Sequence, residues 1–411
     1  MSIIPPLPTQ ARFYSPQGPP NPQQSAQSDL ATHTSTQLTL YPLKQHHPTK
    51  HLASAVLYCE GHFGGIDGKT ANGLVRHSEK YEILSVIDSQ KAGQDAGVVL
   101  DGKANSIPIH KDLATALSHT AAVPAFFIYG IAPSSGMLSS NERALLLNAM
   151  SLGMNIVNGL HEFLNDDAQF AAACITHNVN ILDIRRPKAK KELHIFSGRI
   201  KEVTCPRIAI LGTDCAIGKR TTATILARAL RHVGLNVVLI GTGQTSLIQG
   251  ARYGIALDAV PSQFCAGELE AIILEAFQTE KPDVILIEGQ GALSHPAYST
   301  TSFILRGSCP NGVILQHAPK RIARCDFDLM PMPSPESEIN LIQTFSDTTV
   351  IGLTLNHENM TNEETCTAAT TYERKLGIPS IDALSCSPKH LVDMVFKAFP
   401  ELSEKQTICP L

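Results

Sequence analysis

The sequence predicts an α/β protein built from two parallel sheets in tandem. Three observations carry this. Short apolar runs rich in Val, Ile and Leu recur with helical stretches between them, the pattern of strands covered on both faces. Several of these runs end in Gly-rich or charged loops, where open parallel sheets bind their ligands. One run, Ile208 to Leu211, leads into a loop bounded by Gly212 and Gly218, then Lys219, then an apolar-periodic helix over 222–232.

A chain of 411 residues makes two or three domains at about 150 residues each. It is 43% hydrophobic with no Trp, so the core rests on Ile, Leu, Val and Ala. The formal net charge of −4 leaves no basic field, which argues against nucleic acid as a main partner. The ten cysteines form no CxxC pair, which argues against a disulfide scaffold or a structural zinc site and for reduced thiols in the cytoplasm. No apolar run reaches the roughly 18 residues of a membrane helix. No charged start with an apolar core marks a secretory signal.

Residues 1–50 are rich in Pro, Gln, Ser and Thr, with Pro5-Pro6, Pro19-Pro20 and Gln23-Gln24. Such a stretch buries too little surface to offset its ordering entropy, so a disordered extension is expected. Ala53 to Tyr58 reads as a strand, followed by Glu60-Gly-His-Phe-Gly-Gly-Ile-Asp-Gly-Lys-Thr70. Lys69-Thr70 opens the next helix as a second anion site, with a tight turn carrying an exposed lysine as the plain alternative. Glu82 to Asp88 is the next strand, and Asp88 stands where a dinucleotide fold places its ribose-binding acid. Strands over 125–130, 155–157 and 180–183, with a helix over 141–152, complete a Rossmann-like domain over 51–190. Residues 188–206 read as the linker.

A P-loop NTPase-like domain is expected over 191–411. Backbone N–H groups of its first loop would cradle an anion, with Gly212, Thr213, Gly218, Lys219, Arg220, Thr221 and Thr222 as the cofactor-binding set. The spacing departs from Gly-x4-Gly-Lys-Ser/Thr. The first Gly comes one residue early, and Arg220 stands where the magnesium-binding hydroxyl belongs, with Thr221 and Thr222 after it. Further strands are expected over 236–240, 283–288, 312–317, 350–356 and 378–382. A helix over 263–277 carries Glu268 and Glu270. Glu288 ends its strand at the Walker-B place, for a metal or a water. Thr242 and Gln244 lie in the loop after the 236–240 strand and are candidate substrate contacts.

Two resemblances follow from these motifs. Gly212-Thr-Asp-Cys-Ala-Ile-Gly-Lys219 with Ile287-Glu-Gly-Gln-Gly291 is similar to dethiobiotin synthetase and its relatives, over the second domain alone. Over residues 53–395 the chain resembles the D-glutamate N-acetyltransferase-like family, long known as a domain of unknown function. The shared motifs are Glu60-Gly61, Lys69-Thr-Ala71, Ala92-Gly93, Gly130-Ile-Ala-Pro133, Gly159-Leu-His-Glu-Phe-Leu164, Asp183-Ile-Arg185, the P-loop, Gly241-Thr-Gly-Gln-Thr245 and Gly377-Ile-Pro379. The resemblance implies a Rossmann-like domain followed by a P-loop domain, and acetyl transfer from acetyl-CoA to the amino group of D-glutamate. It also makes a symmetric homo-oligomer a reasonable expectation. This chain has Gln263 where the family pattern carries an acid, and its N-terminal extension lies outside that pattern.

Acetyl transfer needs a phosphate anchor, a base for the ammonium, donors for the developing oxyanion and cations for the substrate carboxylates. The P-loop supplies the anchor. Glu288, His295 and Asp214 are the candidate bases. Loop N–H groups after Gly241 or Gly289 are the candidate oxyanion donors. Arg321 and Arg185 are the candidate carboxylate clamps. His161 reads equally as a packed histidine or a catalytic one. The alternative is an ATP-dependent ligase of the dethiobiotin-synthetase kind, with magnesium on Thr221, Asp214 and Glu288. A non-catalytic nucleotide sensor using residues 1–50 as a partner-binding arm ranks last.

Overall fold

In this computed structural model, residues 52–133 and 135–405 are described. The expected disordered extension over residues 1–50 lies outside the described residues. Ala53–Tyr58 (β1) is fully buried over its last four residues and stands inside a six-stranded sheet. Its companions are Tyr81–Ile87 (β2), Ile109–His110 (β3), Phe126–Tyr129 (β4), Asn155–Asn158 (β5) and Ile181–Asp183 (β6). They run in the order β3-β2-β1-β4-β5-β6, every pair parallel. That is the doubly wound order, whose chain reverses direction between β1 and β4 and leaves a ligand crevice there. The connecting helices are Lys69–Arg76 (α1), Ala96–Asp101 (α2), Leu113–Ser118 (α3), Ser140–Ser151 (α4) and Ala168–His177 (α5).

The second sheet holds seven strands. Arg207–Gly212 (β7), Val237–Gly241 (β8), Tyr253–Gly254 (β9), Val284–Glu288 (β10), Gly312–His317 (β11), Thr349–Leu355 (β14) and Ser380–Asp382 (β15) lie in the order β15-β14-β11-β7-β10-β8-β9, all parallel. Alternate residues of one strand enter opposite cores. Ala209 and Leu211 pack with Ile285 and Ile287 on one face, and Ile208 and Ile210 with Val284 and Leu286 on the other. Between β11 and β14 an antiparallel hairpin, Ala323–Arg324 (β12) with Phe327–Pro331 (β13), rises from the sheet. The helices are Lys219–His232 (α6), Gln244–Gln249 (α7), Ser262–Glu280 (α8), Thr300–Ser308 (α9), Pro335–Phe345 (α10), Asn362–Leu376 (α11), Lys389–Ala398 (α12) and Pro400–Ser403 (α13). Among the described residues no helix is long and apolar enough to cross a membrane.

Several expectations change. The P-loop helix begins at Lys219, three residues before Thr222, because Gly218 adopts a left-handed φ of 101° and turns the chain directly into the helix. The β3, β9 and β12–β13 strands are too short or too exposed to leave a periodic pattern. Asp88 is fully buried and accepts Phe63 N–H at 3.1 Å and Gln90 N–H at 3.0 Å, so its carboxylate locks the Gly-rich turn after β1. The linker lies across α8. Glu268 accepts the backbone N–H of His194 at 2.7 Å, and Glu270 accepts those of Ser197 at 2.7 Å and Ile200 at 2.9 Å.

The two sheets meet through α1 and α7. Thr70 Oγ1 lies 3.2 Å from Thr245 Oγ1, and Gln249 Nε2 donates to the carbonyls of Gly73 at 2.7 Å and His77 at 3.0 Å. Gly73 is where the two helices touch, since a Cβ there would stand 3.0 Å from Thr245 Cγ2.

Candidate functional site

Every residue of β7 is buried, and the chain leaves it at Gly212, where a Cβ would come within 2.8 Å of Ile217 Cδ1 and 3.0 Å of Lys219 Cδ. None of the eight backbone N–H groups from Asp214 to Thr221 has an acceptor among the described residues. The first helical bond is Thr222 N–H to Gly218 C=O at 3.0 Å. Eight unmatched donors ending on a helix N-terminus form an anion cradle. Lys219 is buried beneath it and donates to the carbonyl of Asp214. Burial pushes its ammonium below the ordinary lysine range.

The other P-loop side chains divide by direction. Thr213 Oγ1 bonds His317 Nδ1 at 2.9 Å, and Thr222 Oγ1 donates to Gln316 Oε1 at 2.7 Å, so both hydroxyls brace the loop against β11. Thr221 is half-buried and its hydroxyl has no partner among the described residues. Arg220 turns away from the cradle and donates through Nε to Gln249 Oε1 at 2.9 Å.

Asp214 is fully buried. Its Oδ2 accepts Cys325 N–H at 2.7 Å and Arg321 Nη1 at 3.2 Å. Its Oδ1 has no partner and lies 3.7 Å from His295 Nε2, itself buried and unpartnered. Cys215 stands close by, so that the ligand atoms of the three all lie within 4.8 Å of one another. These residue types suit a transition metal. The hydrogen bonds of His295 do not. Its Nδ1 accepts the N–H groups of Ala297 at 3.2 Å and Tyr298 at 3.3 Å. A neutral ring so held carries its proton on Nε2, aimed at Asp214, and offers no lone pair to a cation there. Burial keeps the ring neutral by lowering its pKa, with Asp214 opposing. The grouping is an Asp–His pair beside a thiol. The same proton on Nε2 leaves His295 poorly placed to take another.

Glu288, at the end of β10, has one oxygen fixed and one free. Oε2 accepts Thr242 N–H at 3.1 Å and Ser246 Oγ at 2.5 Å, while Oε1 has no partner among the described residues and is not sealed from solvent. Thr242 Oγ1 donates to the Glu288 carbonyl at 3.0 Å, so it braces the strand end. Gln244 is buried against Gly159, where a Cβ would lie 3.3 Å from its Cγ. The N–H groups of Gly243 to Ser246, and of Gln290 to Ala292, find no acceptor among the described residues. Of the oxygens that magnesium would need, Asp214 Oδ2 is taken by Arg321 and Cys325, while Asp214 Oδ1 is unpartnered but faces His295 Nε2 at 3.7 Å; Thr221 and Glu288 each keep an oxygen open.

Both arginines are engaged. Arg321 holds the P-loop from outside, bonding the carbonyls of Cys215 at 2.8 Å and Ala216 at 3.3 Å, and Glu358 Oε2 at 2.7 Å. Burial disfavours its charge, but Glu358 and Asp214 outweigh that and raise its pKa. Arg185 donates to the Gly159 carbonyl at 2.7 Å and pairs with Asp258, joining the two sheets' domains. His161 is half-exposed, 4.0 Å from Asp258. Gln263 is exposed in the first turn of α8. Sequence reasoning missed Ser246, Gln249, Gln316, Cys325 and Glu358, whose positions follow from strand order and from the hairpin. Asn356, which donates to the Ile217 carbonyl at 3.1 Å, was signalled by its place at a strand end.

Comparison with known proteins shows the family and the fold. The P-loop domain of the domain of unknown function DUF1611 matches residues 194–392, and the DUF1611 Rossmann-like domain matches residues 89–187. A crystal structure of a DUF1611 family protein from Anabaena variabilis superposes with a TM-score of 0.77 at 30% identity, covering 84% of this chain and 99% of that one. A D-glutamate N-acetyltransferase from Pseudoalteromonas is 32% identical over 265 residues, which is 63% of this chain and 77% of the relative. A second, from Tritonibacter scottomollicae, is 29% identical over 272 residues, 65% of this chain and 79% of the relative.

Proposed function

Because the chain belongs to the two-domain DUF1611 family, we propose that it is an N-acetyltransferase that moves an acetyl group from acetyl-CoA to the amino group of D-glutamate. The relatives' activity supports the reaction class. The observation that carries the assignment of roles is a cradle of eight free N–H groups, with Lys219 beneath, on the same sheet edge as Glu288 and its free oxygen.

In this reading the P-loop N–H groups and Lys219 hold a phosphate of CoA without hydrolysing it. That role needs no metal-binding hydroxyl, which accounts for Arg220 in its place. Glu288 Oε1 takes a proton from the substrate ammonium. The freed amine forms a C–N bond to the thioester carbonyl carbon, the C–S bond breaks, and the departing thiolate takes the second proton from nitrogen. N–H groups of Gln290 to Ala292, or of Gly243 to Ser246, stabilise the charge that develops on the carbonyl oxygen. Cys215 stays a thiol, since burial raises its pKa against the pull of Lys219, so no acetyl-cysteine step is invoked.

The test follows CoA thiol release and acceptor acetylation with acetyl-CoA and D-glutamate. Lys219→Ala is expected to abolish acetyl-CoA binding. Glu288→Gln is expected to bind acetyl-CoA normally and to lose turnover by a factor on the order of 10²–10⁴. Magnesium-dependent ATP binding with no affinity for acetyl-CoA would overturn the reading in favour of the ligase.

A further inference from the structure

Four consecutive carbonyls of the P-loop each accept a side-chain donor. Asp214 C=O takes Lys219 Nζ, Cys215 C=O takes Arg321 Nη1 at 2.8 Å, Ala216 C=O takes Arg321 Nη2 at 3.3 Å, and Ile217 C=O takes Asn356 Nδ2 at 3.1 Å. A planar trans peptide points its N–H opposite to its C=O. Holding these carbonyls therefore sets the direction of the N–H groups of Cys215, Ala216, Ile217 and Gly218, half of the unmatched donors of the cradle. N–H dipoles gathered at one place repel one another, and a hold on their carbonyls offsets that repulsion. Ala216 carries a further cost. Its φ of 50° lies in the left-handed region that a residue with a Cβ disfavours. The two peptide planes that flank its Cα are the two that Arg321 grips.

Arg321 is itself fixed. Its side chain is only 9% exposed, Nη2 donates to Glu358 Oε2 at 2.7 Å, and Nη1 donates to Asp214 Oδ2 at 3.2 Å. The Glu358 N–H in turn donates to Asn356 Oδ1 at 2.9 Å. Arg321 and Asn356 thus belong to one hydrogen-bonded assembly, delivered by the segments that follow β11 and β14. In the sheet, β11 lies beside β7 and β14 beside β11, while β10, which carries Glu288, is the other neighbour of β7. The loop is therefore gripped from one side of β7 and faces the candidate base on the other.

We propose that Arg321, with Asn356 beside it, is the positioning residue of the cradle: it holds the P-loop in its ligand-ready form before a phosphate group arrives, and does so through the backbone, without touching the ligand. The ligand is a phosphate ester or anhydride, carried by CoA or by a nucleotide. The proposal rests on the P-loop binding such a group. It does not depend on acetyl transfer.

The test is calorimetric titration of the full chain with acetyl-CoA and, separately, with ADP, for wild type, Arg321→Ala, Ala216→Gly, the Arg321→Ala/Ala216→Gly double variant and Asn356→Ala. Arg321→Ala is expected to weaken binding of whichever ligand the wild type takes by about tenfold, since the left-handed turn must then be ordered during binding. Its salt dependence should keep the wild-type slope. The loss on removing Arg321 should be clearly smaller on the Ala216→Gly background, because glycine enters the left-handed region freely. Asn356→Ala leaves the Asp214 and Glu358 ion pairs in place, so it reports even where Arg321→Ala does not fold, and should weaken binding by a factor of about three. Unchanged affinity in either Arg321→Ala or Asn356→Ala overturns the proposal. So does a flattened salt dependence with no relief from glycine, which would make Arg321 a cation on the ligand. An effect confined to the KM for D-glutamate overturns it too, because Arg321 would then be a carboxylate contact. Binding of ADP without acetyl-CoA defeats the transferase reading alone, and the same variants judge this proposal on ADP. A wild type that binds neither defeats both.

Discussion

His317 ends β11 and lies buried under the P-loop, with Nδ1 on Thr213 Oγ1. Burial lowers its pKa to about 4, with Glu336 opposing. The folded protein therefore holds it neutral where the unfolded chain would protonate it. The stability this contributes is complete above the unfolded value near 6.5 and is lost as pH falls toward 4, on the order of 3 kcal/mol in all. Urea denaturation at pH 7 and pH 5 is expected to show the loss, and His317→Gln to shrink it. No periodicity marks His317 as a buried titrating group. Its neighbours Thr213 and Tyr372 arrive from distant segments. Arg220 shows the same limit. The sequence reveals that it breaks a motif, and the fold shows that it reaches Gln249 instead.

At the scale of elements, α8 and the linker illustrate a packing constraint. Gly267 sits mid-helix, where alanine normally stabilises by up to about 1 kcal/mol. Here a Cβ would stand 2.3 Å from the His194 carbonyl oxygen and 2.4 Å from Ile195 C, both backbone. Sterics win over propensity, so Gly267→Ala is expected to destabilise by about 2 kcal/mol, read as a lower denaturant midpoint with an unchanged m-value. A gain in stability would show that the linker moves freely off the helix. The acids at 268 and 270 were visible in the sequence as a pair on one helix. That they bind the linker's N–H groups was not, because the partners lie about 70 residues away.

For the whole molecule, Arg185 and Asp258 form an ion pair between the domains, with Arg185 almost wholly buried. Arg185→Ala leaves Asp258 and the Gly159 carbonyl without their partner and is expected to cost on the order of 2 kcal/mol, discounted for the partial exposure of Asp258. Thermal unfolding should then broaden or split into two transitions, since one of the bridges between the domains is lost while others, such as the α1–α7 contact and Arg228 with His77, remain. A single transition at the wild-type temperature would show that this pair does not couple the domains.

The sequence by itself determined the class and order of the two sheets, the P-loop and its Lys219, and Glu288 at a strand end. These are local: runs of branched residues make strands, and a Gly-bounded loop before a lysine makes a cradle. Tertiary structure alone decided which oxygen of Glu288 stays free, which tautomer His295 holds, and that Arg185 and Arg321 are spent on protein acceptors. Each of these depends on partners far apart in the chain. Strand order and domain docking bring them together, and no spacing along the sequence encodes that distance.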